Sequence, residues 1–170
     1  DARAGNSFAY AGLISNFQTV EARGGAFRLG VSDQIAGAAD VNLNGGTFDL
    51  NNTSEDSLGN LILSATSTFD FGDPGFGSNL VRFGGVGAHT FGATLQITDY
   101  DIGMDHFFLT GLANDFTSRY GQTDVCFDGR CGYATISYGS YYEILAVPEP
   151  MTLSLLGLGL AGIGFSRRQQ

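Results

Sequence analysis

Three aspartates near the middle of the chain are the residues best suited to hold a metal ion. Asp99, Asp101 and Asp105 place three carboxylates within one short segment, and carboxylate oxygens are preferred ligands of Ca²⁺. In an extended strand all three side chains would point to one face. The pattern fails as an EF-hand, because Thr110 stands where that loop has its bidentate glutamate. The segment predicts a weak calcium site, with a solvated strand edge or turn as the alternative.

Tyrosines late in the chain offer a second kind of chemistry. Tyr138, Tyr141 and Tyr142 lie close together, and exposed aromatic rings are suited to stacking against sugars. The alternative is that they cover the end of the core. Neither His89 nor His106 lies in a nucleophile, zinc or phosphate motif. We therefore expect no enzyme, and no cofactor other than calcium.

The two cysteines lie on either side of a strong turn signal. Asp128-Gly129 is typical of a two-residue type I′ hairpin, in which Cys126 and Cys131 form a non-hydrogen-bonded pair with Cα atoms about 4.5 Å apart. That separation is at the short end of the disulfide range. We predict a disulfide here; a metal or redox site would need further ligands.

The C-terminal residues 148–170 differ in composition from the body. They begin with Pro148, Glu149 and Pro150, continue through an uncharged run, and end with Arg167 and Arg168 before two glutamines. Paired arginines after an apolar run are held on the cytoplasmic side of a membrane. The run of about 16 residues makes roughly 24 Å of helix against a hydrocarbon core of about 30 Å. It is better suited to a temporary hold than to a permanent span; a buried core helix or a strand pairing with another subunit are the alternatives.

The proline–glutamate–proline start, the apolar run and the arginine pair together resemble the PEP-CTERM sorting signal of Gram-negative bacteria. The resemblance implies export, retention in the inner membrane and processing by an exosortase-type protease. It also implies an association with extracellular polysaccharide and biofilm. We expect two units: a β-rich body over residues 1–147 and a sorting tail over residues 148–170.

Composition agrees with export and argues against nucleic-acid binding. Acidic residues outnumber basic ones 17 to 8, and the net charge is −9, so phosphate backbones would be repelled. Asp1 stands first in place of methionine, as expected after removal of a secretory signal. With 26 glycines and 14 phenylalanines, the chain favours many short strands over helices.

The body carries an internal period of about 21 residues, the sequence signature of a solenoid. Similar strand-like segments recur at residues 25–29, 46–50 and 67–71. A second series with the same step consists of Val20, Val41, Ile62 and Phe83. Phe8 precedes Leu29 by the same distance. We predict an all-β fold: a short right-handed parallel β-helix with an inward phenylalanine ladder, a C-terminal hairpin and the apolar tail. A β-sandwich is the alternative.

Residues 41–111 also resemble the autotransporter-associated β-helical repeats of bacterial surface proteins. The resemblance rests on residues 42–50, 58–64, 67–71, 92–100 and 102–109, although Asp99-Tyr100 replaces the usual Asn-Trp. It implies surface display and adhesion. We therefore expect an exported structural or adhesive surface protein that self-assembles as an oligomer or fibre. The alternatives are a carbohydrate-binding matrix protein and, less favoured, a small polysaccharide-active enzyme.

Overall fold

The computed structural model describes residues 8–10, 18–35, 37–75 and 77–147, and this part of the chain is almost entirely β-structure. One short helix, α1 (Ala113–Thr117), accompanies the strands. In chain order the strands are β1 (Phe8–Tyr10), β2 (Thr19–Ala22), β3 (Ala26–Leu29), β4 (Asp40–Asn44), β5 (Thr47–Asp49), β6 (Glu55–Ala65), β7 (Ser67–Asp70), β8 (Leu80–His89), β9 (Leu95–Thr98), β10 (His106–Thr110), β11 (Val125–Phe127), β12 (Arg130–Cys131), β13 (Tyr133–Ser137) and β14 (Tyr141–Ala146).

Successive strands alternate between two sheets. The first sheet has the order β1-β3-β5-β7-β9-β11-β12, and the second has the order β13-β14-β10-β8-β6-β4-β2. Pairing is parallel from β1 to β11 in the first sheet and from β2 to β10 in the second. The result is a β-solenoid of about four turns. The prediction of a parallel β-helix is confirmed, because an antiparallel sandwich would not pair every second strand in parallel.

The predicted 21-residue step is observed in the first sheet. Phe27 pairs with Phe48, and Phe48 pairs with Phe69. The three rings stack inside the solenoid, with centroids 5.6 and 5.3 Å apart. Later coils are longer, since Phe69 pairs with Ile97 and Ile97 with Phe127. The extra residues lie in the connections between strands, so the inward ladder continues although the period is lost.

Three of the predicted register steps are wrong, and one of them is the step from Ile62 to Phe83, because Phe83 pairs with Leu58. Phe8 pairs with Phe27, not with Leu29, so the first coil is shorter than the later ones. In the second sheet Val41 pairs with Leu61, not with Ile62. Leu61 and Leu63 are both fully buried, and strand alternation then turns Ile62 to the other face.

The C-terminal end of the solenoid is closed by antiparallel strands and by α1. β12 folds back on β11 as the predicted hairpin, and β14 adds antiparallel to β10 and is followed in the sheet by β13. Phe116 of α1 is buried and stacks on Tyr120 with ring centroids 4.3 Å apart. The antiparallel pairs that β14 makes with β10 and with β13 are additional to the predicted hairpin.

A buried carboxylate lies inside the solenoid at the start of β6. Glu55 is 0 % exposed, and it accepts hydrogen bonds from the backbone N–H groups of Gln34 at 2.6 Å and Ile35 at 3.3 Å. Burial raises the pKa of Glu55 to about 7, although the two N–H groups oppose the shift. Folding is thus coupled to protonation of this group.

The raised pKa of Glu55 predicts a pH-dependent stability. The free energy of unfolding is highest below the unfolded pKa of about 4.5 and falls as pH rises towards 7, because the folded state then holds a charged buried group. The loss is on the order of 3 kcal/mol. Glu55→Gln keeps an acceptor oxygen and should flatten this dependence in urea unfolding at pH 5 and pH 8. The exposed Asp73→Asn is the control; an unchanged slope in Glu55→Gln would contradict the prediction.

Candidate functional site

Two tyrosines stand on the outer face of the second sheet, where β13 turns into β14. Gly139 adopts a positive φ of 75° in this turn, and the N–H of Tyr138 donates to the carbonyl of Tyr141 at 2.7 Å. Their rings lie 5.6 Å apart and are nearly parallel, at 18°. Tyr138 is 46 % exposed. The structure therefore brings two of the three predicted tyrosines together on the surface.

Tyr142, the third predicted tyrosine, faces the core. It is 1 % exposed, and its ring packs near Phe116. Burial also raises the pKa of Tyr142. Neighbouring residues in a strand point to opposite faces, so Tyr141 and Tyr142 could not share one ligand surface. The structure gives Tyr142 a packing role in place of the predicted binding role.

Phe108 forms the floor beneath the two exposed tyrosines. It lies on β10 opposite Glu143 of β14 and is 8 % exposed. Its ring meets those of Tyr138 and Tyr141 edge-on, with centroids 6.0 and 5.2 Å away. His106 stacks alongside at 5.3 Å. These contacts hold the tyrosine rings upright in a fixed geometry.

A basic side chain borders the same face. The Arg82 guanidinium of β8 lies 5.6 Å from the Phe108 ring and 5.0 Å from the Tyr141 ring, distances typical of cation–π contacts. Its Nη1 is 3.1 Å from the Asp56 carboxylate, which is more than half exposed. An ion pair this exposed contributes little, about 0–1 kcal/mol. We call Arg82, His106, Phe108, Tyr138 and Tyr141 the aromatic surface.

Glu143 forms hydrogen bonds with two members of the aromatic surface. It is 3 % exposed, and its carboxylate hydrogen-bonds His106 Nδ1 at 2.6 Å and accepts from the Tyr138 hydroxyl at 3.2 Å. The nearby negative charge raises the pKa of Tyr138. The sequence analysis missed Arg82, Phe108 and Glu143, because their only local signal is the outward position in an alternating strand.

The three aspartates of the predicted calcium site do not gather around a common point. The Asp105 carboxylate is buried and accepts the N–H groups of Asn79 at 3.0 Å and Asp101 at 2.8 Å. The Asp101 carboxylate accepts the N–H of Gly75 at 2.6 Å, and Asp99 adopts a positive φ of 54° in the turn. In the part of the chain that the structure describes, no three acidic, histidine or cysteine side chains are grouped to hold a metal ion. The Asp101 and Asp105 carboxylates cap backbone groups of the turns, and the geometry does not support calcium binding.

The cysteines form the hairpin that their spacing predicted. Cys126 and Cys131 are paired across β11 and β12 and are joined by a disulfide. The turn residues Asp128 and Gly129 both have positive φ, 47° and 79°, as a type I′ turn requires. Phe127 pairs with Arg130 as its flanking residues. The hairpin thus closes the end of the first sheet.

The predicted sorting residues Pro148, Glu149, Pro150, Arg167 and Arg168 lie outside the described residues. A family model of the PEP-CTERM protein-sorting motif matches residues 146–168. The motif marks export to the cell envelope or surface, with sorting by exosortase and membrane association. Among residues 8–10, 18–35, 37–75 and 77–147, no helix has the length and apolar character of a membrane span. No curated protein and no solved structure matches the chain.

Loss of the disulfide should weaken the fold moderately. The bond closes a loop with a sequence separation of only 5, and such a short loop gives a stabilisation of about 2 kcal/mol. The double variant Cys126→Ser/Cys131→Ser should therefore show a lower urea midpoint in non-reducing buffer. Adding a thiol reductant should lower the wild-type midpoint to the same value and leave the variant unchanged. A variant as stable as the oxidised wild type would contradict this role.

Proposed function

We propose that this protein is an exported structural or adhesive component of the cell surface or extracellular matrix. The observation that carries the proposal is the sorting motif at residues 146–168, attached directly to the last strand of a β-solenoid body. The resemblance of the body to β-helical repeats of bacterial surface proteins supports a role in display. In this proposal the chain acts by binding and assembly, without catalysis.

Assembly into oligomers or fibres is part of the proposal, and the sheet edges support it. Among the described strands, β2 pairs only with β4, and β13 pairs only with β14. β13 carries no charged residue, and its Ile136 is 45 % exposed. An edge strand without charges can pair with the backbone of another copy. A second copy of this chain is therefore the expected partner at the β13 edge.

The sorting part of the proposal predicts that the tail decides location. In a cell that carries exosortase, the full chain should be recovered with the envelope or as a processed surface form. A chain lacking residues 148–170 should instead be released to the medium or periplasm. Removing only Gln169 and Gln170, which lie beyond the matched motif, is the matched control and should change nothing.

Cell fractionation with intact-mass measurement reads out location and processing together. Identical distribution of the full and truncated chains would contradict tail-directed sorting. Electron micrographs of the purified full chain address assembly separately, and dispersed monomers alone would contradict that part.

A second function, carbohydrate binding within the matrix, is favoured by one specific observation. Tyr138 and Tyr141 form a stacked, partly exposed pair held by Phe108 and Glu143. Aromatic rings with a polar edge suit ligands that have both apolar C–H faces and hydroxyl groups, as sugars do. Arg82 at the border adds hydrogen-bond donors. The pair is fixed before binding, which lowers the entropic cost of association.

Carbohydrate binding predicts that removal of Tyr138 weakens retention on matrix polysaccharide. Tyr138→Ala removes the more exposed ring of the pair, and we expect the affinity for immobilised extracellular polysaccharide to fall about fivefold, since an aromatic contact is worth on the order of 1 kcal/mol. Phe91→Ala removes another exposed aromatic residue, 101 % exposed, away from this surface and serves as the control. Equal retention of the wild type and both variants would rule out this function.

A further inference from the structure

The point where the body meets the tail restricts how the body can sit on a membrane. The last described residue, Val147, directly follows β14. Residues 148–150 separate it from the apolar run that begins at Met151. Three residues span at most about 11 Å when fully extended. While the tail is inserted, the surface around Val147 must therefore lie close to the bilayer.

That surface exposes aliphatic side chains next to the charged side chains of Asp128 and Arg130. Val147 is 51 % exposed and Ile102 is 65 % exposed. Both line one cavity of about 290 Å³, whose walls include Tyr100, Phe127 and the disulfide hairpin. Met104, two residues beyond Ile102, is 43 % exposed. Ile102 and Val147 thus share one cavity where the tail leaves the body, and Met104 lies on the same turn as Ile102.

The loop that carries Ile102 is held in place by hydrogen bonds. The N–H of Met104 donates to the carbonyl of Asp101 at 3.0 Å, and the N–H of Asp101 donates to the buried Asp105 carboxylate at 2.8 Å. Gly103 takes the positive φ of 83° that the turn requires. Ile102 is therefore presented outward by a fixed turn, which keeps its side chain in contact with solvent.

We infer that Ile102, Met104 and Val147 form a membrane-contacting end, which rests on the lipid surface while the tail is inserted. The inference rests on the proposed tail-directed sorting. Aliphatic side chains at an interface insert at the boundary between headgroups and acyl chains. The net charge of −9 opposes contact with anionic lipids, so the contact depends on apolar insertion and favours zwitterionic lipid.

The short link to the tail decides the orientation of the body. Earlier coils expose Asp33, beside Val31, and Asp73 on this edge, and the C-terminal end exposes Asp99 and Asp128, so charge does not distinguish them. Only the C-terminal coil is joined to the inserted tail by three residues, which span about 11 Å. The body therefore stands with its C-terminal coil on the membrane and does not lie along this edge. The first coil, with β1 and β2, points away from the bilayer.

Trp fluorescence tests this orientation, because the chain has no tryptophan. Ile102→Trp and the control Val31→Trp each place one reporter on the same edge; Val31 is 46 % exposed and lies in an early coil. The full chain is reconstituted in zwitterionic vesicles with brominated acyl chains. We expect at least threefold stronger quenching, and a blue-shifted emission, for Ile102→Trp compared with Val31→Trp. Met104→Trp is a second reporter if Ile102→Trp fails to fold.

Flotation of the vesicles separates this inference from the proposed function. Protein that does not float with the vesicles would contradict membrane retention by the tail. Protein that floats while the reporters at positions 102 and 104 stay unquenched would overturn only the membrane-contacting end. Equal quenching at positions 31 and 102 would overturn the upright orientation.

Discussion

The stacking of parallel coils is the constraint on which the rest of the structure depends. Each strand of the parallel stack finds its backbone partners in the coils before and after it, so inward side chains must match from coil to coil. The stack of Phe27, Phe48 and Phe69 meets this requirement. After Phe69 the coils lengthen mainly in their connections, which keeps the inward face of the first sheet unchanged; in the second sheet the register also shifts within the strand pairs β4–β6 and β6–β8.

Because the inward positions are fixed by this ladder, chemistry is confined to the outward positions and to the turns. The aromatic surface arises where β8, β10 and β14 bring outward side chains side by side. Buried Glu143 hydrogen-bonds both His106 and Tyr138. A buried carboxylate needs such partners, and satisfying it also fixes the ring above it. Packing and surface presentation are thus achieved by the same contacts.

The two ends of the body differ in ways that suit a tethered protein. At the C-terminal end the disulfide hairpin, α1 and the pair β13–β14 close the core, and the chain leaves beside exposed Ile102. At the other end, β1 and β2 pair in parallel with β3 and β4. In the proposed function the closed end would lie at the envelope, and the first coil would point away from it.

Local sequence determined the features that depend on neighbouring residues: the 21-residue step through Phe48, the Asp128-Gly129 hairpin with its cystine, and the sorting tail. Each follows from a periodicity or a short motif. Tertiary structure decided the side to which each tyrosine points, the turn-capping role of Asp105, the outward position of Ile62 and the meeting of Arg82 with Phe108 and Glu143. These depend on the register between distant strands and on the unequal lengths of the later coils, and a one-residue difference in register reverses the face of a side chain.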